Sequence, residues 1–125
     1  MIHLDTSFLI RGLVRGSAED RALRGWLRAG EPLGMSAVAW AELLCGPLDE
    51  AQREMAEAIV SERVSFLEAD AALAARLFNE SGRRRGSLLD CMIAAAALRA
   101  NAPLATANVS DFRRLEEGGL TLWKA

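Results

Sequence analysis

The stretch Met1-Ile2-His3-Leu4-Asp5-Thr6-Ser7-Phe8-Leu9-Ile10 frames the reading of the whole chain. It opens as a short apolar strand, ends that strand on a carboxylate, and resumes at once as a helical run. A strand that stops on an acid places a charge at its carboxyl end, which is where open α/β sheets collect ligands. Working outward, short apolar runs keep alternating with longer helical patterns, the signature of βαβ units and a parallel sheet. Strands are expected at residues 2–4, 32–35, 64–67, 103–106 and 120–123. Right-handed crossovers between them would cover both faces of the sheet, giving a three-layer α/β/α fold.

The helix starts carry capping signals. Ser17 has Asp20 three residues on, Asp49 has Gln52, and Ser87 has Asp90. Asp70 precedes the helical run 71–78, and Gly82 falls near its end. In the helix expected over 51–60, Met55, Ala58 and Ile59 share one face, so it should pack by a single stripe. The segments 37–44 and 91–98 are apolar nearly all round and are expected deep in the domain.

Those two apolar helices carry Glu42 and Asp90. Glu42 is the only charge between Pro32 and Pro47, two helical turns beyond Ser36 at the end of the second strand. Asp90 falls in the first turn of its helix, where the macrodipole favours a negative charge. Asp111 follows the fourth strand in the turn after Thr106 and Asn108. With Asp5, these acids can all point at one edge of the sheet. Carboxylates are rarely buried unless paired or bound to a cation. Four in one pocket would repel each other and raise some pKa values, a penalty that a divalent cation removes. An all-oxygen donor set favours Mg²⁺ or Mn²⁺ over Zn²⁺. Such ions suit in-line attack of water on a phosphodiester. Thr6, Ser7, Thr106 and Asn108 are polar groups placed to support the ligands or to contact phosphate.

Each acid also has a plainer role open to it. Asp5 is placed to cap the following helix, Asp90 to answer Ser87 in a capping box, and Asp111 to cap the turn before Phe112. Glu42 has no such role. His3, the only histidine, is read as structural, because a metal-activated water needs no histidine base. Trp40 shares a helix with Glu42, while Trp26 and Trp123 serve either the core or an interface.

The bulk numbers set limits. A chain of 125 residues with 51% hydrophobic content is expected to form one globular domain, residues 1–125. No apolar run of about 18–20 residues is free of charge, so no membrane span is expected. The N-terminus lacks the pattern of a signal peptide. Cys45 and Cys91 read as small buried hydrophobes in a reducing compartment, and a cytoplasmic location is expected. The net charge of −2 argues against a general nucleic-acid-binding surface. The positive charge is nevertheless almost all arginine, Lys124 being the sole lysine, and it clusters as Arg83-Arg84-Arg85 and Arg113-Arg114. Arginine forks suit phosphate, although cations at a helix end also have a purely structural use.

Four ordered motifs together resemble the PIN-domain ribonucleases, and within them the VapC-type toxins of toxin–antitoxin pairs. They are Leu4-Asp5-Thr6-Ser7, then Ser36 through Ala41-Glu42-Leu43-Leu44 with Gly46, then Asp90-Cys91-Met92-Ile93-Ala94-Ala95-Ala96-Ala97-Leu98, and last Thr106-Ala107-Asn108-Val109-Ser110-Asp111-Phe112. The resemblance covers essentially the whole chain. It implies a PIN-like parallel sheet of four or five strands in the order 3-2-1-4-5. It also implies a Mg²⁺- or Mn²⁺-dependent endoribonuclease with Asp5, Glu42, Asp90 and Asp111 as catalytic, metal-binding acids. The partners it implies are an RNA substrate, a second copy of the chain and a cognate antitoxin, which wraps a hydrophobic groove, pushes a basic residue toward the acids and alone contacts operator DNA. The run Arg83-Arg84-Arg85 lies outside these motifs. Two other readings compete: a receiver-like Mg²⁺-binding signalling domain, which would want a strand-end lysine, and a non-catalytic interaction domain whose acids are caps. A dinucleotide-binding domain would need a glycine fingerprint that is missing.

Overall fold

A computed structural model describes residues 1–124. In chain order the elements are β1 (Ile2–Leu4), α1 (Thr6–Gly12), α2 (Ala18–Arg28), β2 (Leu33–Ser36), α3 (Ala37–Cys45), α4 (Glu50–Ile59), β3 (Glu62–Val64), α5 (Glu68–Glu80), α6 (Leu88–Arg99), β4 (Leu104–Ala105) and α7 (Val109–Phe112), followed by a 3₁₀ turn, Arg113–Gly118. The strands form one parallel sheet in the order β3-β2-β1-β4, with His3 between Gly34 and Leu104 in register. Leu122 adds a single parallel bridge to Leu104, so the fifth strand expected at 120–123 is reduced to one pair beside β4. Helices flank the sheet, and the expected α/β class and order 3-2-1-4 hold.

The order has a functional consequence. The chain winds from β1 through β2 to β3 in one direction, then crosses back to lay β4 on the other side of β1. A crevice opens where the winding reverses, beyond the carboxyl ends of the two central strands. Asp5 follows β1 and Thr106 follows β4, and the Asp5 amide donates to the Ala105 carbonyl at 2.9 Å. The topology alone thus brings the first and last motifs together.

Beneath that crevice the sheet is dry. Leu4, Leu33, Met35, Leu104 and Ala105 are buried, and Cys91 with Ile93–Ala97 of α6 pack on them as expected. Trp26 stacks on Phe8 at 5.6 Å and meets Trp123 edge-on at 4.8 Å, so both tryptophans belong to the core side of α1 and α2. Trp40 is half-buried, with the Arg63 guanidinium 4.6 Å over its ring.

Four sequence-based expectations need correction. The third strand lies at Glu62–Val64, not 64–67: it is a sheet edge, where polar Glu62 and Arg63 pair with Gly34 and Met35 while facing solvent. Residues 65–67 instead lead into α5, whose N3 residue Asp70 accepts the Leu67 amide at 2.9 Å. Helix α3 is not deep in the domain: Ala39 and Leu43 are its buried residues, while Ala37, Ala41, Leu44 and Cys45 are exposed. Cys45 is accordingly no core hydrophobe, whereas Cys91 is. In α4 the packed stripe is Ala56, Ile59 and Val60, with Met55 and Ala58 outside, because alanine lets that helix approach closely and the chain must turn inward into β3.

Candidate functional site

Asp5 stands at the N-cap position of α1, yet its side chain makes no capping bond. Its Oδ2 instead accepts from Ser7 Oγ at 2.6 Å and from Thr106 Oγ1 at 2.8 Å. Both hydroxyls are fixed from behind. Ser7 Oγ accepts the Ala107 amide at 3.1 Å, and Thr106 Oγ1 accepts the Asn108 amide at 2.9 Å. Each hydroxyl has one proton and two lone pairs; a backbone N–H takes one lone pair, and because an ionised carboxylate can only accept, the proton goes to Asp5. The carboxylate is therefore clamped on one oxygen, and among the described residues Oδ1 has no protein partner. Asp5 is 4% exposed, so this is an ordered, nearly buried acid with one oxygen left over.

Glu42 reaches the same crevice from α3. Thr6 Oγ1 lies 2.9 Å from the Ala39 carbonyl and 3.2 Å from Glu42 Oε1, sharing its single proton between them. Burial pushes the Glu42 carboxyl above its ordinary value, the Thr6 hydrogen bond opposes this, and the charge of Asp5 adds to the rise.

Asp90 is the most perturbed of the acids. Its pKa is pushed up to about 6, first by burial and then by the charges of Asp5, Asp111 and Glu42, with Arg114 opposing. Asp90 thus feels the charges of all three other acids. The capping-box role open to Asp90 is not taken, because Ser87 makes no side-chain cap and its hydroxyl donates to the Arg84 carbonyl at 2.7 Å. Asp111 lies within α7, does not cap it, and sits 3.9 Å from Arg84 Nη1. Asn108 contributes its backbone, and its side chain makes no cap to α7.

As placed, no three His, Cys, Asp or Glu side chains among the described residues converge tightly enough to cage an ion. The physical reason lies in the same contacts: uncompensated carboxylates repel, and Asp5 and Glu42 have turned to nearby hydroxyl donors. The oxygen set still suits Mg²⁺, which keeps several waters and takes only one or two protein carboxylates directly.

His3 takes no part. It is 1% exposed, its Nε2 has no hydrogen-bond partner, and a Cβ on Gly34 would lie 2.9 Å from that atom. Desolvation, then the positive charges of Arg99 and the N-terminus, lower its pKa to about 4. Lys124 lies 3.9 Å from Glu116, so the lone lysine is paired away from the acids.

Two arrangements escaped the sequence reading. Asp70 was assigned only to a helix start, but it is fully buried and meets Arg99 Nε at 2.6 Å, while Arg99 Nη2 donates to the Ser65 carbonyl at 3.0 Å. Burial would raise its pKa, but the bonds from Arg99 and the Leu67 amide, with the Arg99 charge, hold it low. The sequence hint was slight, since Asp70 follows Glu68 by two residues at the head of the mostly apolar run 71–78. The second is a small cleft beside Asp90 and Asp111 where the two arginine clusters meet, lined by Arg84, Arg85 and Arg114.

Comparison with known proteins gives a consistent picture. A family model, the PIN domain, matches residues 2–118. No curated protein sequence matches the chain. Among solved structures, a VapBC complex from Rickettsia felis bound to a fragment of its promoter DNA aligns with a TM-score of 0.76 at 20% identity, covering 99% of this chain and 100% of that one. A VapBC complex from nontypeable Haemophilus influenzae aligns at 0.71 and 25% identity, covering 99% and 98%. A sarcin–ricin loop cleaving VapC toxin from Mycobacterium tuberculosis aligns at 0.67 and 17% identity over 100% of both chains.

Proposed function

The chain belongs to the PIN domain family, and from that premise we propose that it is a Mg²⁺- or Mn²⁺-dependent endoribonuclease, the toxin of a type II toxin–antitoxin pair, working as a single domain. The observation that carries the reading is the clamped Asp5 at the reversal point of the sheet, with Asp90 raised to about 6 by the charges of the other acids. Hydroxyl clamps that fix one carboxylate oxygen and leave the other unbonded suit an acid that must present a lone pair to a cation. A non-catalytic domain of helix caps would need Asp5, Asp90 and Asp111 to cap, and none of them does.

The roles follow from position. Asp5, Asp90, Glu42 and Asp111 would hold the ion, directly or through its waters. A divalent cation there would supply the positive charge that draws in a phosphodiester and favours deprotonation of an attacking water. Ser7 and Thr106 orient Asp5, and Thr6 orients Glu42. Glu42 and Asp90, whose pKa values are raised by burial and by the other acids, are the ones whose charged forms a bound cation would stabilise most.

Partners fit the exposed apolar surface. Ala37, Val38, Ala41 and Cys45 of α3 line an open apolar depression of about 580 Å³ with Glu42 and Leu89 at its edge. A second copy of the chain would cover it and bring two acid sites near each other. Ile10 of α1, Val14 of the following turn and Leu27 of α2 are further exposed apolar side chains that an amphipathic antitoxin segment would cover. The VapBC relatives are complexes, one of them on promoter DNA, and operator contact would fall to the antitoxin here too. No helix among the described residues is long and apolar enough to cross a membrane, which accords with a cytoplasmic toxin.

The test is cleavage of single-stranded RNA by purified, antitoxin-free protein. Mn²⁺ or Mg²⁺ should be required, and Asp5→Asn should remove activity while the melting temperature without metal stays within a few degrees. Undiminished cleavage by Asp5→Asn would sink the assignment.

A further inference from the structure

The run Arg83-Arg84-Arg85 is an arginine triplet whose members part company in the structure. Arg83 turns back to α5, where its guanidinium donates to Asn79 Oδ1 and sits 5.6 Å over the Phe78 ring. Arg84 and Arg85 go the other way. Their loop is tied by two bonds from Ser87 to the Arg84 carbonyl, 3.1 Å from its amide and 2.7 Å from its hydroxyl. Gly86 closes the turn at φ +83°, a conformation that resists any side chain. This ordered turn sets Arg84 and Arg85 on the wall of a cleft of about 110 Å³, whose other wall is Arg114 with Asp90 and Asp111. The cleft is too small for a nucleoside and is ringed by planar N–H forks. Arg85 and Arg114 have no ion-pair partner among the described residues, and Arg84 has only the loose 3.9 Å contact to Asp111. Two of the three arginines are thus left without a close carboxylate although acids stand beside them, so their forks are free to take an outside anion.

We infer that this cleft, between Arg84, Arg85 and Arg114, holds a phosphodiester of the RNA strand next to the one the acids address. The inference rests on the ribonuclease reading and adds to it a second contact that fixes strand register. Guanidinium groups match phosphate oxygens in pairs, which favours a phosphate over a carboxylate-poor base edge. Because Asp90 and Asp111 belong to both sites, the bound strand would pass from one to the other without leaving the surface.

Binding, not cleavage, tests it. In an Asp5→Asn background, a single-stranded RNA ten-mer is titrated over a range of salt concentrations. Each lost phosphate contact lowers the slope of log K against log salt by about 0.7 for a single strand. Arg84→Gln, Arg85→Gln and Arg114→Gln should each show that loss and weaken binding roughly five-fold. Arg83→Gln removes the same charge from the same loop but should leave affinity and slope near those of the parent. Arg83, Arg84 and Arg85 are exposed and Arg114 is half-buried, and unchanged melting curves would verify folding. If Arg83→Gln costs as much as its neighbours, only a diffuse field is at work and the cleft assignment is wrong. It is equally wrong if wild type cleaves RNA while the three variants bind as tightly as the parent. Absence of both cleavage by wild type and binding by Asp5→Asn would instead bring down the ribonuclease reading, and this inference with it.

Discussion

Replacing Asp90 with asparagine should make the metal-free protein more stable while destroying its proposed function. The carboxyl is lifted from an ordinary 3.8 to about 6, by burial first and by Asp5, Asp111 and Glu42 next. At about 1.36 kcal/mol per pH unit, holding it ionised at pH 7.5 costs about 3 kcal/mol. Asp90 is only half-buried, so solvent screening brings the expected gain down to about 1.5 kcal/mol. The dipole of α6 favours a negative charge in its first turn by about 0.5 kcal/mol, which is too little to reverse the sign. The pH dependence follows from the raised pKa. The folded state takes up the proton first, so wild-type stability from this group rises as pH falls from about 6 toward 3.8, and below 3.8 the charge penalty is gone. Asp90→Asn should therefore melt roughly 5 °C higher than wild type at pH 7.5 in chelator, and the gap should close near pH 4. Adding Mn²⁺ should reverse the ranking, because an ion that binds only the folded wild type raises its melting temperature. A variant that is less stable at pH 7.5, or whose advantage persists at pH 4, would show that Asp90 is not under electrostatic strain.

His3 should act in the opposite sense over the same range. Its pKa is lowered from 6.5 to about 4, so its contribution of about 3 kcal/mol is present above pH 6.5 and is lost as pH falls toward 4. As pH drops from 6.5 to 4, wild type should therefore lose a net of about 1.5 kcal/mol, which His3→Leu turns into a gain and Asp90→Asn into a steeper loss; parallel curves for all three proteins would refute this. Arg99→Ala should destabilise by about 3 kcal/mol, since it strands the fully buried Asp70 carboxylate, and denaturant midpoints would measure it. Gly34→Ala should cost about 1–3 kcal/mol, because its Cβ would meet the His3 ring at 2.9 Å and Met1 Sδ at 3.0 Å; the Gly34→Ala, His3→Ala pair should recover most of that loss. Thr106→Val, which keeps the shape but frees Asp5 Oδ2 from one donor, should lower metal affinity about ten-fold, read by calorimetry with Mn²⁺.

The legible and illegible parts of this fold divide along a physical line. Strand centres, the parallel class and the strand-end position of Asp5 follow from local apolar alternation, which records burial on both faces of a sheet. The cap at Ser17 and the capping box of Asp49 with Gln52 were equally readable, because both partners lie within four residues. Ser87 with Asp90 has the same spacing and a different outcome, since the Arg84 carbonyl captures the hydroxyl first. What failed was inference about the surface. An all-apolar helix looks buried in a sequence, yet α3 leaves Ala37, Ala41, Leu44 and Cys45 uncovered, because its packed face is centred on Ala39 and Leu43 alone. The third strand misled for the converse reason: an edge strand tolerates Glu62 and Arg63, so its pattern looked polar.

The same distinction reorders the four acids. Glu42 looked the most anomalous because its helix looked buried, yet it is half-exposed and holds only a shared hydroxyl bond. Asp5 looked replaceable by a cap, yet it is the one whose geometry is over-determined, with two hydroxyls donating to a single oxygen and each hydroxyl held in turn by a backbone amide just beyond β4. Ser7 is a local partner, but Thr106 and the two amides lie about a hundred residues away along the chain, beyond the reach of any local pattern. Only the reversal of strand order brings them beside β1, so the long-range topology, more than the burial of any one acid, makes a set of carboxylates into a site.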